Sequence, residues 1–183
     1  MKKQLLTAVT VLTALTAFAE LPENSGFEKP ADQKDKSWIA YPAENWQVYL
    51  GNAERRGTCE VPTAGAFAGK RHIRIGSTHE KGFTSLRTEK LYPVKTGDIV
   101  ELKAMVKGHG KARLRIYYYD ANGKMVKKYR MSQLKATDSW KEITCEALIP
   151  AGVTHIRPAV EVMFGKHLID VDEVKMSITE AKK

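Results

Sequence analysis

Two stretches of the chain carry side chains that could bind a ligand. Arg113, Arg115, Tyr117 and Tyr119 alternate along one of them, and His155, Arg157, Glu161 and Met163 along the other. Aromatic rings stack on the C–H faces of sugars, while guanidinium and carboxylate groups bond hydroxyls in a plane. The same residues also suit a solvated sheet face laced with cross-strand ion pairs. Glu101, Lys103, Met105 and Lys107 join this surface if their strand lies alongside. Trp38 and Tyr41 sit in a Pro-containing loop that would border a cleft. Asp172 poses a different question, because it shares a face with Val174, Met176 and Ile178. Glu28 does the same directly after Phe27. An inward carboxylate is costly without a partner, so each needs a metal ion, backbone amides or an ion pair with Lys70 or Arg71.

Hydrolytic chemistry finds little to work with. A glycosidase needs two carboxylates about 5–10 Å apart across one pocket. Glu101 and Glu161 would be that pair only if they shared a sheet face, and their Lys and Arg neighbours favour ion pairs. No nucleophile elbow, P-loop or HExxH is present. The sequence therefore reads as non-catalytic. Cys59 and Cys145 form no metal-binding motif. They suit either one disulfide or two small buried side chains.

The elements that position these residues are strands. Val100, Leu102, Ala104 and Val106 alternate with Glu101, Lys103, Met105 and Lys107 over Asp98 to Lys107, the mark of a half-buried antiparallel strand. Gly108-His109-Gly110 reads as a turn, followed by a second strand from Lys111 to Tyr119. Asp120-Ala-Asn-Gly123 reads as a hairpin turn leading to a third strand, Met125 to Met131. Period-2 spacing recurs at Trp46/Val48/Leu50, Ile73/Ile75, Ile143/Cys145/Ala147/Ile149 and Ile156 to Phe164, and in a last strand from Leu168 to Ile178. Roughly ten short strands broken by turn signals predict an all-β fold, a two-sheet antiparallel sandwich or jelly roll. No linker or repeat divides the chain.

Lys2 and Lys3 precede an apolar run from Leu5 to Phe18, and Ala17-Phe18-Ala19 fits a cleavage site. The expectation is export to a secreted or periplasmic location, with cleavage before Glu20. The single mature domain, residues 20–183, would then hold 164 residues (183 − 19). No stretch has the roughly 20 apolar residues of a membrane span. The net charge of +9 falls to +7 once Lys2 and Lys3 are removed. That balance suits an anionic polymer, but no polybasic block points to nucleic acid.

Several segments in order resemble carbohydrate-binding modules of the CBM4/9/22 type, which are galactose-binding-like jelly rolls. Asn24-Ser-Gly-Phe-Glu28 resembles their opening, and Ala66-Phe67-Ala68-Gly69-Lys70 through Ile75 resembles an early strand. Tyr92 to Gly108, Ile116 to Gly123, Trp140 to Ile143 and Asp172-Glu173-Val174 are similar to later motifs. The resemblance implies a structural Ca²⁺ held by the side chains of Glu28 and Asp172, with carbonyls from Phe67 and Lys70. It also implies a glycan site on a sheet face, here Arg113, Arg115, Tyr117, Tyr119, Arg157 and Glu161, with Trp38 nearby. The expected function is a monomeric, secreted carbohydrate-binding module for a poly- or oligosaccharide. The excess of Arg and Lys favours an anionic one. A structural or adhesion domain, or an accessory domain of a glycoside hydrolase, are the alternatives.

Overall fold

In the computed structural model the described residues are 21–180, apart from Asp35, Ser37, residues 52–56 and Phe164. The expected leader and its cleavage point lie outside the described residues. Alternating apolar residues make one-faced strands, and these pair into two sheets that close on each other. Sheet B runs in the order β1 (Ile39–Ala43), β2 (Trp46–Tyr49), β5 (Phe83–Thr88), β10 (His155–Met163), the second half of β7 (Ile99–Tyr119), and β8 (Met125–Ala136). Short β6 (Tyr92–Pro93) pairs with one end of β10. Sheet A runs β3 (Gly57–Glu60), β4 (Ile73–Ser77), β11 (His167–Thr179), the first half of β7, and β9 (Lys141–Leu148). Every pairing is antiparallel, and no helix occurs among the described residues. None is thus long and apolar enough to cross a membrane. The chain is an all-β jelly-roll sandwich, as its periodicity predicts.

The inner faces carry the core. Trp46, Phe27, Ile73, Ile75, Leu86, Leu102, Leu114, Ile116, Ile156 and Ile169 are all fully or almost fully buried. The N-terminal segment is tied across the sandwich: Phe27 packs edge-on against Trp46 at 5.1 Å, and the Trp46 indole donates to the carbonyls of Glu23 and Asn24. Leu21 bridges to Met176, and the Val174 amide donates to the Ser25 carbonyl at 3.1 Å, which ties the segment at residues 21–27 to β11.

Three expectations are corrected. Gly108-His109-Gly110 is not a turn between two strands. β7 runs through it unbroken for 21 residues and bends from sheet A into sheet B. The bend needs glycine twice, at φ 123° and 114°. A Cβ on Gly108 would lie 2.3 Å from the Leu168 carbonyl oxygen, and one on Gly110 would lie 2.1 Å from His167 Nδ1. The second correction follows from the first. Glu101, Lys103, Met105 and Lys107 point outward from sheet A, so they do not share a surface with Arg113, Arg115 and Tyr117, and Glu101 cannot face Glu161. Third, Cys59 and Cys145 do not pair: they lie on β3 and β9, the opposite edges of sheet A. Three strands stand between them, a span of about 19 Å at the usual strand spacing, far beyond the reach of a disulfide. β8 is also longer than expected, continuing past Met131 to Ala136.

Candidate functional site: the outer face of sheet B

The outward side chains of sheet B come from five strands in register. β7 lies between β10 and β8, so that Arg157 stands opposite Tyr117, Glu161 opposite Arg113, Tyr117 opposite Tyr129, and Arg115 opposite Met131. On the other side of β10, Glu161 pairs with Ser85 and Ala159 with Arg87; Ser85 in turn pairs with Tyr49 of β2. Of the expected site residues, Arg113, Arg115, Tyr117, Tyr119, Arg157 and Glu161 therefore share one surface. Trp38 does not join them. It is 57% exposed beside edge strand β1, three strands from β10.

Glu161 is the fixed centre of this face. It is fully buried although it points away from the core. Its Oε1 accepts the Tyr117 hydroxyl in a short hydrogen bond and the Ser85 hydroxyl at 3.3 Å. Its Oε2 lies 3.2 Å from Arg115 Nε. Arg115 also donates to the Tyr117 hydroxyl at 3.1 Å and stacks over the Tyr129 ring at 4.2 Å. Burial pushes the Glu161 carboxyl above its ordinary pKa, with the Tyr117 hydrogen bond and the Arg115 charge working against the rise. Burial, then the Glu161 charge, push the Tyr117 phenol up as well. Around this centre stand rings at two levels of exposure. Tyr49 and Phe83 contact each other at 5.9 Å on one flank, and Tyr117 and Tyr129 at 6.4 Å on the other. Chemically the face offers apolar ring edges beside oriented donors and acceptors, and a single carboxylate already committed to internal partners.

Tyr49 is legible in the sequence as one of an early cluster of aromatics, but Phe83, Ser85, Arg87 and Tyr129 escape a reading of it. β5 has no apolar alternation to betray its outer face, because Thr84 and Thr88 are buried on the inner side. Tyr129 sits in a Lys/Arg-rich stretch with the composition of a solvated strand. The signal that was available is the turn at Asp120 to Gly123, which makes β8 the hairpin partner of β7; the pairing of β5 with β10 has no such signal.

Glu28 and Asp172 are also brought together, by the loop at residues 67–71. Phe67 and Ala68 donate their N–H groups to Asp172 Oδ2 at 2.8 and 3.1 Å, and Glu173 N–H donates to Oδ1 at 2.8 Å. Lys70 and Arg71 donate theirs to Glu28 Oε1 at 2.8 and 3.0 Å. Burial raises the Asp172 carboxyl above its ordinary pKa, and the three amides oppose the rise. The Phe67 carbonyl shares its peptide unit with Ala68 N–H and the Lys70 carbonyl with Arg71 N–H, so with those N–H groups aimed at the carboxylates the two carbonyls point away from them. These contacts do not match the ligand set the resemblance implies, and the described residues hold no cluster of three or more His, Cys, Asp or Glu suited to a metal.

Away from sheet B, the outer face of sheet A carries a second buried carboxylate. Asp170 accepts a two-pronged hydrogen bond from Arg74 at 2.6 and 3.1 Å, with His72 Nε2 at 3.4 Å and Lys107 Nζ at 3.8 Å. Lys107 lies 4.6 Å over the Trp140 ring, which itself packs edge-on against His72 and Phe67. A cleft of about 440 Å³ nearby is lined by Thr58, Ser77, His109, Lys166 and His167, among others, with no Tyr, Trp or Phe ring among its described lining residues.

No family model and no curated protein matches the chain. Solved structures do. A cyclase from Fischerella sp. TAU, solved with 4-(1H-indol-3-yl)butan-2-one, is 15% identical with a TM-score of 0.63, over 91% of this chain and 100% of that one. The CBM22-1 xylan-binding domain of Paenibacillus barcinonensis Xyn10C is 17% identical with a TM-score of 0.58, over 86% of this chain and 94% of that one. The chain has the jelly-roll fold of carbohydrate-binding modules. The enzymatically active domain of bacteriophage CBA120 tailspike protein 4 shares it too, at 11% identity and a TM-score of 0.59 over 74% of this chain, which spans only 19% of that one. This jelly roll thus serves binding modules and enzymes alike, so function has to be argued from the site.

Proposed function

We propose that the protein is a non-catalytic carbohydrate-binding module, secreted or periplasmic, that holds a poly- or oligosaccharide on the outer face of sheet B. The observation that carries the reading is the pair of ring clusters, Tyr49/Phe83 and Tyr117/Tyr129, flanking the Glu161–Arg115–Tyr117 network. Rings of this kind present flat apolar surface to sugar C–H groups, and a pre-ordered polar centre bonds hydroxyls without first losing side-chain freedom. The absence of hydrolysis is inferred from the carboxylates. Glu101 and Glu161 lie on opposite sheets, and Glu161 is engaged by three neighbours. In this reading the amide cradle around Glu28 and Asp172 takes the place that the resemblance gives to calcium. A glycan array with the purified protein tests the proposal. Binding to at least one glycan is expected, weakened about tenfold, or about 1.4 kcal/mol, by Tyr129→Ala. An array blank throughout would reject it.

A second reading rests on the cyclase likeness, which spans that whole chain, and on a buried Glu161 with a raised pKa beside Tyr117. In that case the face would take a small aromatic molecule and Glu161 would donate a proton to it. A blank array together with a thermal shift on adding an indole would favour this alternative.

A further inference from the structure

The arginines of the sheet B face are not equally neutralised. Arg115 faces Glu161 directly, and Arg113 donates to Gln133 at 2.9 Å while its charge acts on the same Glu161. Arg87 and Arg157 form no ion pair among the described residues. Both are half-buried, and each packs over a tyrosine ring, Arg87 over Tyr49 at 5.6 Å and Arg157 over Tyr119 at 5.4 Å. The Nε of each is buried without a hydrogen-bond partner. Arg157 donates to the backbone carbonyl of Glu89 at 3.2 Å, while the Glu89 carboxylate accepts from Gln33.

Register roots the two side chains at neighbouring positions of this face, Arg87 leaning toward Tyr49 of β2 and Arg157 toward Tyr119 of β7. Arg87 pairs with Ala159, so Arg157, two residues along β10, is its diagonal neighbour at about 7–8 Å. Ala159 points to the same face and is fully covered by its neighbours, with Arg87 on one side and Arg115 on the other. Burial lowers the pKa of Arg157, and the neighbouring charge of Arg87 lowers it further, while Tyr119 opposes them. Two like charges held half out of water, with no counter-ion among the described residues, are a standing cost to the fold. Stacking on tyrosine orders both guanidinium planes before any ligand arrives, which leaves their outer N–H groups poised for an anion.

We propose that Arg87 and Arg157 clamp an acidic group of the bound glycan above Ala159, either the carboxylate of a uronic acid or the sulfate of a sulfated sugar. The inference rests on the carbohydrate reading and gives it a substrate class. A guanidinium fork matches both anions with paired, charge-assisted hydrogen bonds. The carboxylates near that point are already engaged, Glu161 by Arg115, Tyr117 and Ser85 and Glu89 by Gln33.

Matched polysaccharides that differ only in charge test this, with polygalacturonate against its methyl ester for the carboxylate and dextran sulfate against dextran for the sulfate. The wild-type protein should bind one charged member at least about tenfold tighter than its neutral mate, and added salt should weaken that binding. Arg87→Gln and Arg157→Gln should each reduce the preference, whereas Arg74→Gln, on the opposite sheet, should leave it intact. The wild-type comparison needs no variant to fold. Equal affinity within both pairs, failure to bind either charged member, or a preference that survives the Arg87→Gln/Arg157→Gln double variant would each overturn the inference. A protein that binds neutral glycans on the array but shows no charge preference sinks the arginine clamp alone. A blank array sinks the carbohydrate reading as well.

Discussion

Asp170 and Glu161 occupy matching positions on opposite sheets, yet their surroundings differ in kind. On sheet A, Asp170 and Glu60 together face Arg74 and Lys107, and Trp140 roofs the cluster. Burial lowers the His72 pKa, with the Asp170 charge opposing, so the imidazole adds no net charge at neutral pH. Opposite charges there balance within the protein. On sheet B the strands bring four arginines to a single buried glutamate, and two of them, Arg87 and Arg157, have no ion pair among the described residues. A closed charge cluster serves the fold. An open one leaves room for an external counter-charge, which the proposed acidic glycan would supply. The comparison also explains why a net positive charge was weak evidence by itself: what matters is which cations remain after internal pairing.

The separation of the two faces depends on the bend in β7, so the largest effect should come from Gly108→Ala. Its Cβ would collide with the Leu168 carbonyl at a positive φ, and about 3 kcal/mol or more of stability should be lost in urea unfolding. Asp170→Asn should cost about 2 kcal/mol, below the usual figure for breaking a buried pair because Arg74 and Lys107 are partly exposed. Glu161→Gln should cost under about 1 kcal/mol at neutral pH, since an amide can still bond Tyr117 and Ser85 and burial already disfavours the charge there. Equal costs for the last two would erase the distinction drawn between the sheets.

The pH dependence sharpens it further. Glu161 has a raised pKa in the folded state, so the fold favours its protonated form. Its contribution is fully present below the ordinary carboxylate pKa of about 4.3 and is lost as pH rises through the folded value. Melting temperatures measured across the acid range should therefore fall less steeply with rising pH in Glu161→Gln than in the wild type. Asp172, also raised, keeps part of the slope in both. The smallest effect concerns calcium. An ion bound at 100 times its Kd would add about 2.7 kcal/mol and move the melting temperature by several degrees. With backbone amides already on both carboxylates, calcium or a chelator should shift it by less than about 1 °C. A rise of several degrees would show that the loop at residues 67–71 turns over to present its carbonyls.

Alternation alone revealed β9, β10 and the two halves of β7, because each has an apolar inner face. In β11 a register shift between Asp172 and Lys175 breaks the period, so Asp172 stands opposite outward Met105 and does not share the face of Val174 and Met176 as expected. Alternation also placed Arg115, Tyr117, Arg157 and Glu161 correctly on the outward side. It failed where local pattern says nothing about partners. The bend at Gly108 and Gly110 looks like a turn in sequence, since both uses of glycine exploit the same freedom of φ. The distance between Cys59 and Cys145 depends on strand order, which no spacing encodes. β5, with threonines on its inner face, hides Arg87 from any hydropathy argument. The amide cradle was open as one of several partners for Asp172 and Glu28, and only the loop conformation around Gly69 (φ 64°) decides which groups turn toward them.

Backbone amide shifts recorded while the tightest-binding glycan of the array is titrated in would locate the site without any substitution. The account predicts that perturbed residues cluster on β5, β10 and the second half of β7, around Arg87, Ala159 and Tyr117, with β4, β9 and β11 unmoved. Perturbations centred instead on Asp170 and Trp140 would contradict it, and the face that binds would be the one whose charges are already balanced.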